Sequence, residues 1–426
     1  MRGRARRPTV EGGAMERLNG WWCAERDRIA RTLADFVRID TTAPNEPAAI
    51  PFLQRYLGPL GFTLVERPIP DLFWSHPERC PPPLSRLTYG RTLLRAHRPG
   101  RAGGGHLAVN CHLDVVPLTE GFGDGFQPVV AGGRVTGRGA ADTKGNLVMM
   151  AETVRFLDHA GRPPGCELTL DLVAEEETGG NGALASALAG LDADCALVLE
   201  PTGLEVFCGH RGCVTFEARF SAHATHMGSA SGPPTSAIDL AILGIAALRR
   251  LETRMIADAA GDPLFEGWSR PLQINVGRIE GGEWHGSVPA RCRIVGNCGF
   301  LPCHGLDGAR SMLEETLAAV VADVPGAGVE LRWPGLRNEA LAGDPAHPFA
   351  AALAAAAGQG PIRAWNVSCD GRHYGRTLGL PTAIFGCGRL DQAHAEGETL
   401  DLADLARGIA ILADVLGGAG WRGRPA

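Results

Sequence analysis

Residues 106–116 read HLAVNCHLDVV. Leu107, Val109, Cys111, Leu113 and Val115 alternate with Asn110, His112 and Asp114, the period-2 pattern of a strand with two distinct faces. A strand that only fills a core has no use for an imidazole and a carboxylate two residues apart at its end. His112 and Asp114 are therefore read as a strand-end pair with chemistry to perform.

Outward from that strand, short apolar runs alternate with longer amphipathic ones. WWCAERDRIARTLADFVRI (21–39) is helical in period, and GFTLVERPI (61–69) and RTLLRAH (91–97) read as strands. GNLVMMAETVRFLDHAG (145–161) is a helix that Gly161 can end, and CELTLDLVAEE (166–176) and CALVLEPT (195–202) are strands. This alternation predicts an α/β fold, a mostly parallel sheet with helices on both faces. From about Gly209 the order becomes strand, helix, strand, strand, helix, strand, ending with GVELRW (328–333). That βαββαβ order is the ferredoxin-like split unit. The α/β rhythm resumes after about Gly335 with a helix near Ala350, the strand LPTAIFG (380–386) and a closing helix over 402–416. The expected organisation is a first catalytic part over 15–208, an inserted domain over 209–335 and a second catalytic part over 336–426. The Pro-rich stretch 67–86 reads as an irregular loop, and the first fourteen residues as a loose tail, with Met15 as an alternative start.

Composition bounds the function. The 426 residues are 45% hydrophobic and 21% charged, with a net charge of −6, enough for a large core and unsuited to nucleic acid or an anionic membrane as main partner. No apolar run approaches the roughly 20 residues of a membrane span, and the basic N-terminus lacks the apolar stretch of a signal peptide. Twelve cysteines are scattered without a Cys-x-x-Cys pair, which reads as reduced thiols in a cytoplasmic protein.

Four further sites resemble the first. GRGAADTKG puts Asp142 in a Gly-rich loop that opens a helix, and LVAEEETGGNGA puts Glu175, Glu176 and Glu177 at a strand end. ALVLEPTG puts Glu200 at the end of the next strand, and DQAHAEGE puts His394 beyond the last one. Open α/β sheets bind ligands at the carboxyl ends of their strands. Separations run from 23 residues (Glu177 to Glu200) to 194 (Glu200 to His394), so only folding can assemble the set. Two imidazoles and three carboxylates suit borderline metals such as Zn²⁺. Five ligands are too many for one tetrahedral ion with a free position, but they suit two ions about 3.5–4 Å apart bridged by one carboxylate. Water held between such ions has its pKa lowered to about 7, and Glu176 is the candidate for the carboxylate that takes its proton. Asp114 can accept the second imidazole N–H of His112 and fix its tautomer.

Taken in order, HLDVVP, GRGAADTKG, EEETGGNGA, LEPT, GGEWHGSVPA and AHAEGE resemble the M20 metallopeptidase family, in particular its acetylornithine deacetylase / succinyl-diaminopimelate desuccinylase branch. The resemblance implies a co-catalytic di-zinc hydrolase, with Co²⁺ or Mn²⁺ able to substitute. It places His112, Asp142 and Glu200 on one metal and Asp142, Glu177 and His394 on the other. It makes Glu176 the general base and the inserted domain a lid through which a homodimer forms. In FSAHATHMG it assigns His226, over the alternative register His223, to steadying the oxyanion in the partner's site.

The implied activity is hydrolysis of an N-acyl amino acid or a related acylated amine. A di- or carboxypeptidase on the same site is the runner-up, and a non-catalytic metal-binding homologue is the alternative of another class. Arg372, in CDGRHYG, can pair with a substrate carboxylate, though a structural salt bridge competes with that reading. Two departures from the family pattern concern fine positioning: Cys111 stands where Gly is frequent, and TKGN follows Asp142 where Met-Lys-Gly-Gly is usual. No Gly-x-Ser-x-Gly elbow is present, which removes a serine hydrolase.

Overall fold

The computed structural model describes residues 12–101, 103–118, 123–228 and 235–418, and they form two compact units. Of the described residues, the first contains those up to Gly209, then Gly343–Arg363 and those from Asp370 to residue 418. The second contains His210–Ala342 and Ala364–Cys369.

In the first unit, four parallel strands lie side by side in the order Glu167–Val173, His106–His112, Cys195–Leu199 and Thr382–Phe385. The strands Thr63–Pro68 and Thr92–Arg98 extend the sheet antiparallel on one side. One face carries Leu107, Val109 and Cys111, all fully buried together with the helices Gly12–Val37, Lys144–His159 and Leu402–Gly417. Side chains of this size contribute roughly 1.5–3 kcal/mol each when fully buried. The alternate residues, Asn110 and His112 among them, point to the other face, over which the helix Asn181–Leu188 packs. The alternation in HLAVNCHLDVV thus separates a packing face from a working face, as the sequence pattern predicts. The first helix already runs at Gly12, so residues 12–14 are not part of a tail; the rest of the expected tail lies outside the described residues. Gly161 has φ +67°, a left-handed stop two residues beyond the helix that ends at His159.

The second unit has the βαββαβ order: Gly212–Ser221, Ala237–Ala257, Ile274–Gly281, Arg291–Phe300, Gly305–Val321 and Gly328–Arg332. Its four main strands pair antiparallel, with Arg291–Phe300 and Gly212–Ser221 in the middle. Both helices contribute to one apolar core with Phe216, Phe220, Ile294 and Phe300. The unit closes later than position 335, because Arg337 and Asn338 still pair with Val214 and Cys213. It also recovers Ala364–Cys369, since the Ala364 amide donates to Leu264 and its carbonyl accepts Trp268 Nε1. Among the described residues no helix is long and apolar enough to cross a membrane. All twelve cysteines are free thiols.

Candidate metal centre

The four parallel strands bring the selected residues to one end of the sheet. His112 is the last residue of its strand, and Glu200 follows Leu199 directly. Glu176 and Glu177 come after the strand that ends at Val173, and His394 lies in the loop after the strand that ends at Phe385. Asp142 precedes the helix Lys144–His159 by two residues, at a cis peptide bond to Thr143.

One oxygen of Asp142 faces each imidazole. His112 Nε2 is 3.0 Å from Oδ1, and His394 Nε2 is 3.4 Å from Oδ2. His394 Nε2 also lies 2.9 and 3.0 Å from the two oxygens of Glu177. His112, Asp142 and Glu177 each offer a donor atom within 4.8 Å of the others. Glu200 is buried against the same charges, and its Oε1 has no hydrogen-bond partner.

The electrostatics show what the cluster lacks. Burial, then the charges of Glu176 and Asp142, push Glu200 well above the usual carboxylate range. Burial, then Asp370, Glu177 and Asp142, do the same to Glu176 against the opposing pull of His112. Burial works to raise Asp142 as well, but hydrogen bonds from His112 and His394 hold it below the usual range. Those same bonds, from Asp142 first and then Glu177, lift His394 to about 10 against its burial. An excess of carboxylates crowded around two imidazoles, with one oxygen orphaned, is the donor set that divalent cations complete. The chemistry of these residues fits divalent metal, with His112, Asp142 and Glu177 as the closest group of donors.

Asp114 supports the centre in a way the sequence does not disclose. His112 Nδ1 lies 2.8 Å from the backbone carbonyl of Asp114, while the nearest carboxylate oxygen is 3.7 Å away. The carboxylate accepts the amides of Glu176 at 3.3 Å and Glu177 at 3.1 Å. The shortest contact to the imidazole is thus the strand-end carbonyl, with the carboxylate in ion-pair range behind it, and the side chain also secures the turn that bears the two glutamates.

For Arg372 the structure shows the structural side of the two readings: it is 1% exposed and its Nη2 donates to the Gly179 carbonyl at 2.8 Å, bracing the turn after the glutamates. A Cβ on Gly180 (φ +70°) would come within 2.5 Å of both Arg372 Nη2 and Asp370 Oδ1, so only glycine closes that turn. His226 belongs to the second unit, exposed on the two-residue strand Thr225–His226, with Nδ1 accepting the Gly228 amide.

Supporting residues that the sequence pattern does not single out are buried and polar. Glu175, at φ +62°, accepts from Leu84 N, Ser85 N and Asn181 Nδ2, so the member of the acidic triplet nearest the strand is a brace for the Pro-rich loop. Asn146, the departure from the family pattern, donates to the Ala141 and Cys387 carbonyls and to Thr143 Oγ1, and its Oδ1 accepts the Cys387 amide. Glu398, the last residue of AHAEGE, accepts amides of the loop that carries Asp142. Their motifs are legible in the sequence; which member of each motif turns inward is not.

An α/β sheet that delivers this donor set to its carboxyl edge defines, in class, a metal-dependent hydrolase. Residues 108–417 match Peptidase family M20/M25/M40, and the chain belongs to that family; it is a metal-dependent amidohydrolase. It is 28% identical over 395 residues to an acetylornithine deacetylase of Myxococcus xanthus, covering 90% of this chain and 96% of that protein. Its fold resembles a tripeptidase of Staphylococcus aureus (TM-score 0.70, 18% identity, 92% of this chain and 98% of the other). It likewise resembles a Bacillus subtilis protein described as a dinuclear metal binding peptidase of the M20 family (TM-score 0.63, 15% identity, 93% and 98%).

Proposed function

We propose that this chain hydrolyses the amide bond of an N-acyl amino acid or a related acylated amine, using two Zn²⁺ ions per chain, with Co²⁺ or Mn²⁺ able to substitute. The observation that carries this is the placement of Asp142, one oxygen toward His112 and the other toward His394, with Glu177 on the second side and Glu200 in contact with the same charges. When bound, the two cations would polarise the scissile carbonyl and lower the pKa of the attacking water to about 7.

The chain's own residues do the rest. His112, Asp142 and Glu200 would hold one ion, and Asp142, Glu177 and His394 the other. Glu176 takes the proton of the attacking water and returns it to the leaving amine. Burial and the neighbouring carboxylates raise its proton affinity, the direction that favours a carboxylate able to take up a proton. Asp114 holds the Glu176 and Glu177 amides so that base and ligand keep a common orientation. We assign His226, with the inserted unit as a lid and dimerisation domain, to steadying the oxyanion in a second copy's site, as the family resemblance implies. The similarity to an acetylornithine deacetylase over most of both chains supports the deacylase reading over the peptidase one.

The test is hydrolysis of a panel of N-acetyl, N-succinyl and N-formyl amino acids plus dipeptides by metal-loaded wild type and Glu176→Gln. Turnover of acyl-amino acids that disappears in the variant while both metals are retained supports the proposal. Cleavage of dipeptides alone replaces it with the peptidase reading. Two bound metals with no turnover of any amide would favour the non-catalytic homologue.

A further inference from the structure

The loop that carries Asp142 and the loop that carries His394 are far apart in sequence, and two buried side chains join them: Asn146, which bonds Ala141 and Cys387, and Glu398, which lies four residues from His394 and bonds the Asp142 amide itself. Glu398 is 1% exposed. Its Oε1 accepts the amides of Ala141 at 2.9 Å and Asp142 at 3.0 Å. Its Oε2 accepts the Gly139 amide at 3.0 Å and Arg138 Nη1 at 2.8 Å. Four donors thus converge on two oxygens, and one of them is the amide of the carboxylate that faces both imidazoles. The backbone continues the connection. The Glu398 carbonyl accepts the Gly137 amide, and Thr399–Asp401 pairs antiparallel with Arg134–Thr136. His394 stands four residues before Glu398, at φ +60°, a left-handed conformation that is unfavourable for a non-glycine residue and persists only where the surroundings impose it.

We infer that Glu398 is a positioning residue of the metal centre, which ties the backbone of Asp142 to the loop of His394 so that both arrive at the second metal position together. The inference rests on the two-metal reading above. Glu398 reaches no donor atom of the centre itself; it acts on the backbone from which Asp142 projects. A carboxylate is required because every one of its partners is a donor. A glutamine there offers one acceptor oxygen and turns an NH₂ group toward N–H donors. It therefore loses at least two of the four hydrogen bonds and introduces a donor–donor conflict. Partners of this kind, one step behind a ligand, alter metal affinity by about 10–100-fold when changed.

The experiment compares full-length wild type, Glu398→Gln and Glu398→Asp, each titrated with Zn²⁺ against a competing chelator. Metals per chain are counted by mass spectrometry under native conditions, and circular dichroism reports the fold. Wild type is expected to bind two metals. E398Q is expected to bind the first near its wild-type affinity and the second about 10–100-fold more weakly. E398D keeps an all-acceptor carboxylate one methylene shorter and is expected to recover part of that loss, which a purely space-filling role would not produce. A folded E398Q that binds both metals with wild-type affinity overturns the inference and leaves the two-metal reading intact. Wild type that binds fewer than two metals overturns that reading and this inference with it. If E398Q does not fold, E398D decides: a weakened second metal supports the inference, and wild-type affinity overturns it.

Discussion

Substituting Asp114 separates two ways in which a residue behind a metal ligand can act. In Asp114→Asn the backbone is unchanged, so the carbonyl that meets His112 Nδ1 at 2.8 Å remains. The side chain, however, can accept with only one of its two polar atoms, whereas the carboxylate meets both the Glu176 and the Glu177 amides. One of these amides is left facing an NH₂ group. Hydrogen bonds to charged acceptors contribute about 1.5–3 kcal/mol each. The 3.3 Å contact is the weaker of the two, so the expected loss is toward the lower end, about 2 kcal/mol. Spread over a unit of this size, that is a fall in Tm on the order of 4 °C. The turn that loosens bears Glu176, so kcat should fall with little change in KM, while two metals remain bound. Differential scanning calorimetry, metal counting and steady-state kinetics read the three quantities. A variant that keeps its Tm but loses a metal would refute the reasoning, because the carboxylate would then be acting through the imidazole.

Glu46 is fully buried, and burial followed by the charge of Asp114 raises it to about 7 from an unfolded value near 4.5, against the opposing pull of its own backbone amide and Ser85. A carboxyl whose folded value lies above its unfolded one binds its proton more tightly in the fold, so stability falls as pH climbs from about 4.5 through about 7. Glu46→Gln should remove this decline and be the more stable form at pH 8, by up to about 3 kcal/mol; urea unfolding at pH 5 and pH 8 would show equal slopes with pH in both proteins if the idea is wrong. Asn146→Gly, which moves toward the family pattern, should nonetheless destabilise by about 3 kcal/mol, from a glycine inside a helix and the lost bonds to Ala141, Thr143 and Cys387. A thermal melt that matches wild type would contradict this. Glu200→Gln relieves a buried charge, so the metal-free protein should gain stability, whereas metal affinity should drop; a rise in both melting temperatures, with and without metal, would remove Glu200 from the ligand set. Stripping metal from wild type should lower its Tm, since ligands that bind only the folded state stabilise it by mass action. An unchanged melt after complete chelation would argue against a resident metal.

Much of the architecture is carried by local pattern. The alternation in 106–116, the order of runs in 213–333 and the glycine at 161 each reflect nearest-neighbour geometry, which a strand or helix enforces wherever the segment sits. The candidate ligands were legible for a related reason: polar residues at or just beyond the ends of apolar strands have few structural uses, and the five of them lie within motifs that follow one another along the chain. What local pattern cannot carry is which atom meets which. Glu175, Glu176 and Glu177 are alike as text, yet the left-handed φ at Glu175 turns one inward to the 84–85 amides and leaves the other two beside the imidazoles. Asp114 and His112 are two residues apart, and still the shortest contact is made by a carbonyl rather than the carboxylate. Arg372 has the charge to read a substrate but lies within the unit, against Gly179.

By itself, then, the sequence determined the kinds of element, their order, and a short set of side chains able to bind metal, because periodicity and residue chemistry are properties of the chain. The tertiary structure alone decided that Asp142 divides its two oxygens between His112 and His394, that Glu398 bonds the Asp142 amide, and that Arg372 braces the Gly179 carbonyl. Hydrogen bonds and charge interactions fall away within a few ångströms, and separations in ångströms between residues hundreds of positions apart exist only once the sheet has formed.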